Sequence, residues 1–352
     1  MSRLTKRTAA AIGSAAAFGL LLAGCSSAGD NKAGGDAGET VEVVFANSFA
    51  GDHPHNACGV DLVAEAVNDK GVGLEIVNYP ESILGGDQER FRSVQTGDVQ
   101  MNLDSPSNIS AFSEAIGVLD RAFVLDGQEQ LEAFVETDAY KELTDNVLEE
   151  TGTRIIGAWY FGVRVFTSNK PIHEPADLQG LKTRFPNKPE YLESAYALGA
   201  NPVGVSFDEL YLALQQGTAD SQENPVSAIA STNVQEVQDY VSLSGHQTSI
   251  EFVVVSEDFW QGLSDEQRTA IQEAVDAAGV KAGECISEEE RTILQQWAAD
   301  GVIEVVQDVD REAFRTKVEA YWEANLEGVQ REYYDLIKAE DLGEGWTAPT
   351  IK

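Results

Sequence analysis

The sequence predicts an α/β protein with a mixed sheet, large enough for two domains. Three observations lead there. Strand-like and helix-like segments alternate from Val41 to Gly217, the strand–helix–strand order of a parallel or mixed sheet. About 310 residues follow a polar N-terminal stretch, enough for two hydrophobic cores. A helical pattern from Ser264 to Asp300, roughly 50 Å long if continuous, exceeds one small domain and suits a span across two.

The first residues are a targeting segment. Arg3, Lys6 and Arg7 precede a short apolar run, Ala9 to Leu22, too short and too rich in Ala and Gly for a transmembrane helix. Leu22-Ala23-Gly24-Cys25 resembles a bacterial lipobox, in which Cys25 becomes a diacylated N-terminus. An ordinary cleaved signal peptide is the alternative. Residues 26–40 are small and polar and read as a flexible linker.

Val41 to Phe45 alternates as a strand and ends in a loop, Asn47 to Asn56. Val60, Val63, Ala64 and Val67 recur at helical spacing until Asn68-Asp69-Lys70-Gly71 stops them. Leu74 to Tyr79 is a strand, Glu89 to Gln95 a helix, and Gln100 to Leu103 a short strand. Gln128 to Glu150 forms one or two helices. Arg154 to Tyr160, Phe166 to Ser168 and Leu181 to Phe185 read as separate strands. Glu190 to Leu198 is a helix closed by Gly199. Ser206 with Glu209 forms a capping box that opens a helix ending near Gly217. Phe252 to Val255 is an apolar strand. Ser264 with Gln267 caps the long helix, which Gly279 and Gly283 interrupt. Arg311 to Ala339 is helical and highly charged.

Acidic side chains outnumber basic ones 59 to 24. That excludes nucleic acid as a partner, because phosphate contacts need a basic surface. It does not exclude a small anion, since a few buried arginines set a local field. No nucleophile elbow, zinc-protease motif, P-loop or dinucleotide fingerprint occurs, so the chain reads as a non-enzyme without cofactor. His53 and His55 flank Pro54 beside Asp52, but their spacing matches no metal motif and reads as a solvated loop. No metal site is expected. With Cys25 lipidated, Cys58 and Cys285 remain. An exported chain permits them to pair, but their distance in sequence is weak evidence for a bridge, and two buried small residues are the favoured reading.

Arg164, between Val163 and Val165, and Arg184, between Thr183 and Phe185, sit in segments that otherwise favour burial. A buried guanidinium requires an anion, and its fork matches a carboxylate. Structural salt bridges to the abundant Asp and Glu would satisfy the same requirement.

The segments YFGVRVFTSNKPI, DLQGLKTRFPN, LGANPVGVSFDELYLALQQGTADSQENP and VQDYVSLSGH resemble the substrate-binding subunit of tripartite ATP-independent periplasmic (TRAP) transporters of the DctP type. NYPESILGGDQE, VQTGDVQM and FWQGLSDEQRTAIQEA extend the likeness over nearly all of the mature chain. The resemblance implies a two-lobed periplasmic-binding-protein fold, type II-like, with mixed sheets, hinge strands and a long helix spanning both lobes. Lobe I is expected at 41–161 plus 250–289, and lobe II at 162–249 plus 290–352.

The resemblance also implies a function and a site. The protein would be anchored outside the cell membrane, capture an organic acid, and deliver it to a small and a large permease subunit. Arg184 would make the main two-pronged carboxylate bond, with Arg164 assisting and Asn224 completing the site. Asn47, Ser105 and Asp104 would face the ligand from the first lobe. Phe207 would pack on it, and Asn187 would bond a hydroxyl. Glu223 and His246 would form an outer layer holding Arg164. Asp220-Ser221 replaces the Asp-Gly usual before QENP. Ser105 stands where sialic-acid binders tend to place a glutamate, which argues against sialate. Asn47, Asp104 and Asn187 together favour a hydroxylated acid such as a uronate or aldonate. A C4-dicarboxylate, or a sensor role in place of transport, is the alternative.

Overall fold

The computed structural model describes residues 40–207 and 209–351. The expected signal peptide, Cys25 and the expected linker up to residue 39 lie outside those residues.

The elements follow the chain in this order: β1 (Val41–Ala46), α1 (Asp61–Lys70), β2 (Leu74–Tyr79), α2 (Asp87–Thr96), β3 (Met101–Asp104), α3 (Pro106–Ile109), α4 (Gln128–Phe134), α5 (Asp138–Thr151) and β4 (Thr153–Ser168). Then come β5 (Lys182–Phe185), α6 (Pro189–Leu198), β6 (Asn201–Gly204), α7 (Leu210–Gln215), β7 (Ser221–Pro225), α8 (Val226–Ser231) and β8 (Tyr240–Ser256). The chain closes with α9 (Glu257–Gly262), α10 (Asp265–Asp300), β9 (Glu304–Val306), α11 (Arg311–Asn325) and α12 (Gly328–Ala339). The described strands form one mixed sheet in the order β2-β1-β3-β8-β4-β7-β5-β6, with β9 on β8.

Two long strands hold this sheet together. The sequence suggests short strands at 154–160, 166–168 and 252–255. The structure instead has β4 continuous over 16 residues and β8 over 17. The hydrophobic pattern misses most of β8 because its middle is polar yet buried, and it breaks β4 around Gly162 and Arg164. Ser242, Ser244, His246, Gln247, Thr248 and Ser249 on β8 are all inaccessible. β3 pairs antiparallel with the C-terminal end of β8, from Asp104↔Phe252 to Met101↔Val255. β7 pairs with the far end of β4, from Arg164↔Pro225 to Ser168↔Ser221. β4 pairs with β8 along both stretches, with register shifts at Ile155/Gly157, Tyr160/Gly162 and Arg164/Phe166.

This register brings two sets of strand ends to one place. β1 and β3 are parallel, as are β5, β6 and β7. Their C-terminal ends point toward the same stretch of β4 and β8, around residues 160–164 and 247–251. Open α/β sheets bind ligands at such strand ends, where loops are free to carry side chains.

Packing follows the same division. One core joins α1, β1–β3 and the first half of α10 through Val63, Phe45, Ile76, Ile271 and Val275. Another joins α7, α8 and the second half of α10 through Leu210, Ile229, Leu294 and Trp297. A third covers the other face of the sheet, from Phe91 and Phe123 to Phe314 and Trp322. The helix α10 is unbroken for 36 residues, about 54 Å. Ser264 and Gln267 cap it reciprocally, as their spacing predicts. Gly279 and Gly283 do not interrupt it. A Cβ on Gly279 would lie 2.6 Å from the Trp159 ring, so the glycine lets the sheet's tryptophan lie against the helix.

Two local expectations fail. Ser206 gives its hydroxyl to the Glu209 carboxylate (2.7 Å) and caps no backbone N–H, and α7 starts after Glu209. The helical path before α1 starts earlier than the sequence suggests, with a π-type turn over Asn56–Val60. That turn carries Cys58, which is disulfide-bonded to Cys285 of α10, with Cα atoms 6.6 Å apart.

The bridge closes a loop of 227 residues, so it restricts the unfolded chain strongly. Replacing Cys58 and Cys285 together by Ser is expected to lower the unfolding free energy by about 2–5 kcal/mol. Urea unfolding of wild type and double variant measures it. Matching midpoints would show that the bridge contributes nothing.

Candidate functional site

Arg164 and Arg184 both end up buried, yet they differ in what surrounds them. Arg164 lies on β4 beside the last residues of β7. Its Nε donates to Glu223 Oε2, and Nη2 donates to Glu223 Oε1 (2.9 Å), the Glu223 carbonyl (2.9 Å) and Asn224 Oδ1 (3.0 Å). Its Nη1 reaches Ser249 Oγ at 3.4 Å, and the guanidinium lies 4.9 Å above the Tyr191 ring. Burial opposes its charge, but Glu223 more than offsets this and raises its pKa. Burial pushes Glu223 the other way, but Arg164 and then His246 hold it below its ordinary value. The structural ion pair that the sequence allows is thus realised at Arg164.

Arg184 has no such partner among the described residues. It is 1% exposed. Its Nε donates to the Val205 carbonyl (2.9 Å), and Nη1 has no partner among the described residues. No Asp or Glu lies within ion-pair distance of it among those residues. Burial lowers its pKa from 12.5 to about 10, with Glu223 working against that and Arg164 adding to it. A guanidinium so buried favours an anion from outside the chain.

The remaining predicted residues fall into two groups. Asn224 sits on β7 with its amide shared between Arg164 and Gln222 Oε1 (2.6 Å). His246 stacks on Phe166 (4.4 Å) and shares a hydrogen bond with Ser244 Oγ (2.8 Å). Its Nε2 is 3.4 Å from Glu223 Oε2 but lacks hydrogen-bond alignment. Burial keeps the imidazole neutral by lowering its pKa. Asp104 ends β3, and Ser105 follows, its hydroxyl 3.3 Å from that of Ser107. Asn187 is exposed and lines a cavity of about 590 Å³ with Ser107, Lys188 and Glu190. Phe207 is 44% exposed after β6. Asn47 is different. Its amide donates to Asn56 Oδ1 (2.8 Å) and Asn78 Oδ1 (2.9 Å) and accepts from Phe49 N–H (3.0 Å). Those bonds occupy both donors and fasten the loop after β1.

The histidines of this loop do not lie free in solvent: His55 is fully buried and His53 half-buried, packed with Phe49, Phe161 and Trp159, while Gly51 and Asp52 remain exposed. Burial lowers His53 to about 4 and His55 well below its ordinary value. Among the described residues no group of His, Cys, Asp or Glu is arranged to hold a metal.

Several charged residues of the site escaped the sequence reading. Asp104 has company in Asp120, Glu190 and Glu251, all buried. Lys188 reaches across to Asn108 Oδ1 (2.7 Å). Glu251 carried a usable signal, a charge beside the apolar run Phe252–Val255, the same signal that marks Arg164. Glu190 after Pro189 reads as an ordinary first-turn acid, and Asp120 sits in a segment without periodicity.

A family model, the bacterial extracellular solute-binding protein, family 7 (DctP), matches residues 49–328. The 2,3-diketo-L-gulonate-binding periplasmic protein of Escherichia coli is 31% identical over 72% of this chain and 76% of its own. The C4-dicarboxylate-binding periplasmic protein DctP of Rhodobacter capsulatus is 29% identical over 86% of this chain and 90% of its own. A TRAP periplasmic solute-binding protein from a Polaromonas species, solved with D-erythronate, superposes with a TM-score of 0.76 at 26% identity. It covers 86% of this chain and 99% of its own. One from Shewanella oneidensis, solved with succinate, gives 0.75 at 25% identity over 85% and 98%.

The titrating groups make stability depend on pH. Burial, with Asp87 adding, raises Asp104 from 3.8 to about 8, and burial raises Asp120 to about 6. Groups raised this way stabilise fully below their unfolded pKa and lose that contribution as pH rises through the folded value. The buried histidines act in reverse, losing theirs as pH falls from 6.5 toward about 4. Asp104→Asn is therefore expected to flatten the fall in thermal midpoint between pH 5 and pH 9, as scanning calorimetry across that range measures. An unchanged slope would remove Asp104 from the account.

Proposed function

We propose that this chain, which belongs to family 7 of the bacterial extracellular solute-binding proteins, captures an organic acid through Arg184 and delivers it to membrane permease subunits of a TRAP transporter. It is a binding protein and not an enzyme. Its place is extracytoplasmic, and Cys25 would tether it by lipid to the outer face of the membrane.

The observation that carries this reading is the buried Arg184, which has no carboxylate partner among the described residues. Arg164 is already neutralised by Glu223, so it orients Asn224 and leaves Arg184 as the anion's partner. A ligand carboxylate would take two parallel bonds from the guanidinium in a site sheltered from water. Lobe I would comprise 41–161 plus 250–289, and lobe II 162–249 plus 290–352, hinged where the register of β4 shifts at Gly162. Ligand-driven closure of two lobes is a common clamp motion.

A hydroxylated acid such as a uronate or aldonate fits better than a plain dicarboxylate. Asn187 and Asp104 offer polar groups beyond the clamp, and Ser105 and Phe207 would flank the ligand. Asn47 would position its loop without touching the ligand, since its amide is spent on Asn56 and Asn78.

A thermal-shift screen of the purified protein with sugar acids, dicarboxylates and neutral sugars tests this. At a hundredfold excess over Kd, binding adds about 2.7 kcal/mol to folded-state stability. Acids are expected to shift the midpoint and neutral sugars not. Arg184→Ala is expected to weaken binding of the best acid by about 2–5 kcal/mol, and Arg184→Lys to restore only part, because the fork is lost. Full affinity in Arg184→Ala would show that the site lies elsewhere.

A further inference from the structure

Residues 341–351 follow α12 without forming helix or strand, and such a tail is ordered only where it is tied down. Here the ties converge on an irregularity in β8. Arg164 pairs with Gln247 and Phe166 with Ser242, so Leu243 to His246 bulge out opposite Val165 alone. Gly245 inside the bulge has φ of +49°, and a Cβ on it would lie 2.3 Å from the Trp346 ring. Arg311, at the start of α11, grips the same place. Its Nε donates to the Ser244 carbonyl (2.9 Å) and its Nη2 to the Gly245 carbonyl (2.8 Å) and Asp126 Oδ1 (2.7 Å). Its Nη1 donates to the Trp346 carbonyl (2.6 Å), and the guanidinium lies 4.8 Å from the centre of the Trp346 ring. The Trp346 N–H donates to the Asp126 carbonyl (2.9 Å), and further on the Ile351 N–H donates to Gln307 Oε1 (2.8 Å).

The bulge in turn carries His246 to the clamp. Its backbone is fixed by the Phe123 N–H, which donates to the His246 carbonyl (2.9 Å). Its ring shares a hydrogen bond with Ser244 Oγ, stacks on Phe166 and places Nε2 3.4 Å from Glu223 Oε2. Glu223 is the partner of Arg164, which orients Asn224. A contiguous path of contacts thus runs from Trp346 and Arg311 through the bulge to Glu223 and Arg164. Bulged residues lose their ladder partners, and buried carbonyls require donors from elsewhere. Ser244 and Gly245 are buried, and Arg311 supplies theirs. Phe123 and Asp126 come from the segment expected in lobe I, and Arg311 and Trp346 from that expected in lobe II.

We propose that Arg311 and Trp346 are positioning residues for the acid site: they clasp the β8 bulge in the shape that presents His246 to Glu223, so the C-terminal tail sets ligand affinity without touching the ligand. This rests on the reading of Arg184 and its neighbours as that site. The two residues differ in what can replace them. Another flat ring can lie on Gly245, so phenylalanine is a conservative substitute for Trp346. Lysine offers a single ammonium in place of the fork with which Arg311 reaches two carbonyls of the bulge, the Trp346 carbonyl and Asp126.

Two measurements on the purified protein test it. Amide exchange followed by NMR without any acid is expected to quicken at Phe123 in Trp346→Ala and in Arg311→Lys, while the amides of α10 stay protected. Calorimetric titration uses the acid that shifts the thermal midpoint most, with L-galactonate, D-erythronate and succinate among those tried. Trp346→Ala is expected to weaken its binding at least about fivefold, and Trp346→Phe to restore most of the loss. In a His246→Gln background Trp346→Ala is expected to have no further effect, because the path to Glu223 is already cut. A tail that only stabilises the fold would leave the affinity of folded variants unchanged, or would act equally with and without His246. Either result overturns the proposal, as does unchanged exchange at Phe123. Should Trp346→Ala fail to fold, Arg311→Lys takes its place in the same cycle. Binding lost in Arg184→Ala but intact in Trp346→Ala overturns the positioning role alone. A wild type that binds none of the acids, or acid binding that survives Arg184→Ala, overturns the acid site and this proposal together.

Discussion

The ion pair between Arg164 and Glu223 organises everything around it. Both side chains are buried, and isolated burial of either charge would be costly. The pair makes burial tolerable because the remaining donors are also satisfied, by the Glu223 carbonyl, Asn224 and Ser249. Those partners lie on β7 and β8, so one guanidinium on β4 stitches three strands at the point where the sheet changes register. It also fixes the roles of its neighbours. Asn224 is oriented, Glu223 is held ionised, and His246 stays neutral against Phe166. With Glu223 committed to Arg164, Arg184 is left, among the described residues, with a backbone carbonyl and an unpartnered nitrogen.

The frame that holds this pair is long and stiff. β4 and β8 run antiparallel through both groups of parallel strands, and α10 contributes side chains to all three cores, Ile286 among them. Gly162 occupies the shift in β4 with φ of +107°, a conformation that favours glycine. A Cβ there would also meet Glu290 of α10 at 2.6 Å. Glu290 accepts from the N–H of Val226 (3.0 Å), directly after Asn224-Pro225. Long helix, strand irregularity and clamp segment therefore meet in one place.

Electrostatics act on two scales. The chain as a whole is strongly acidic, which opposes anion capture at long range. Inside the protein a buried guanidinium such as Arg184 is poorly screened and poorly hydrated, whatever the surface charge. Buried carboxyls respond to the same enclosure by holding their protons to higher pH, Asp104 up to about 8.

How much of this was legible beforehand depends on the kind of signal. Local patterns placed β2 and the cap and length of α10, because strand alternation and capping geometry are decided within a few residues. The resemblance carried by QENP and the two arginine segments put Arg164, Arg184, Glu223 and Asn224 together, and they are indeed neighbours here. The polar centre of β8, the aromatic burial of His53 and His55, the Cys58–Cys285 bridge and the burial of Asp120 and Glu190 were not legible. Each depends on a partner many residues away. By itself the sequence determined that two arginines would be buried in strands. Only the tertiary structure decided which one would find a carboxylate among the described residues and which would not, because charge pairing is settled by distances between strands that sequence spacing does not encode.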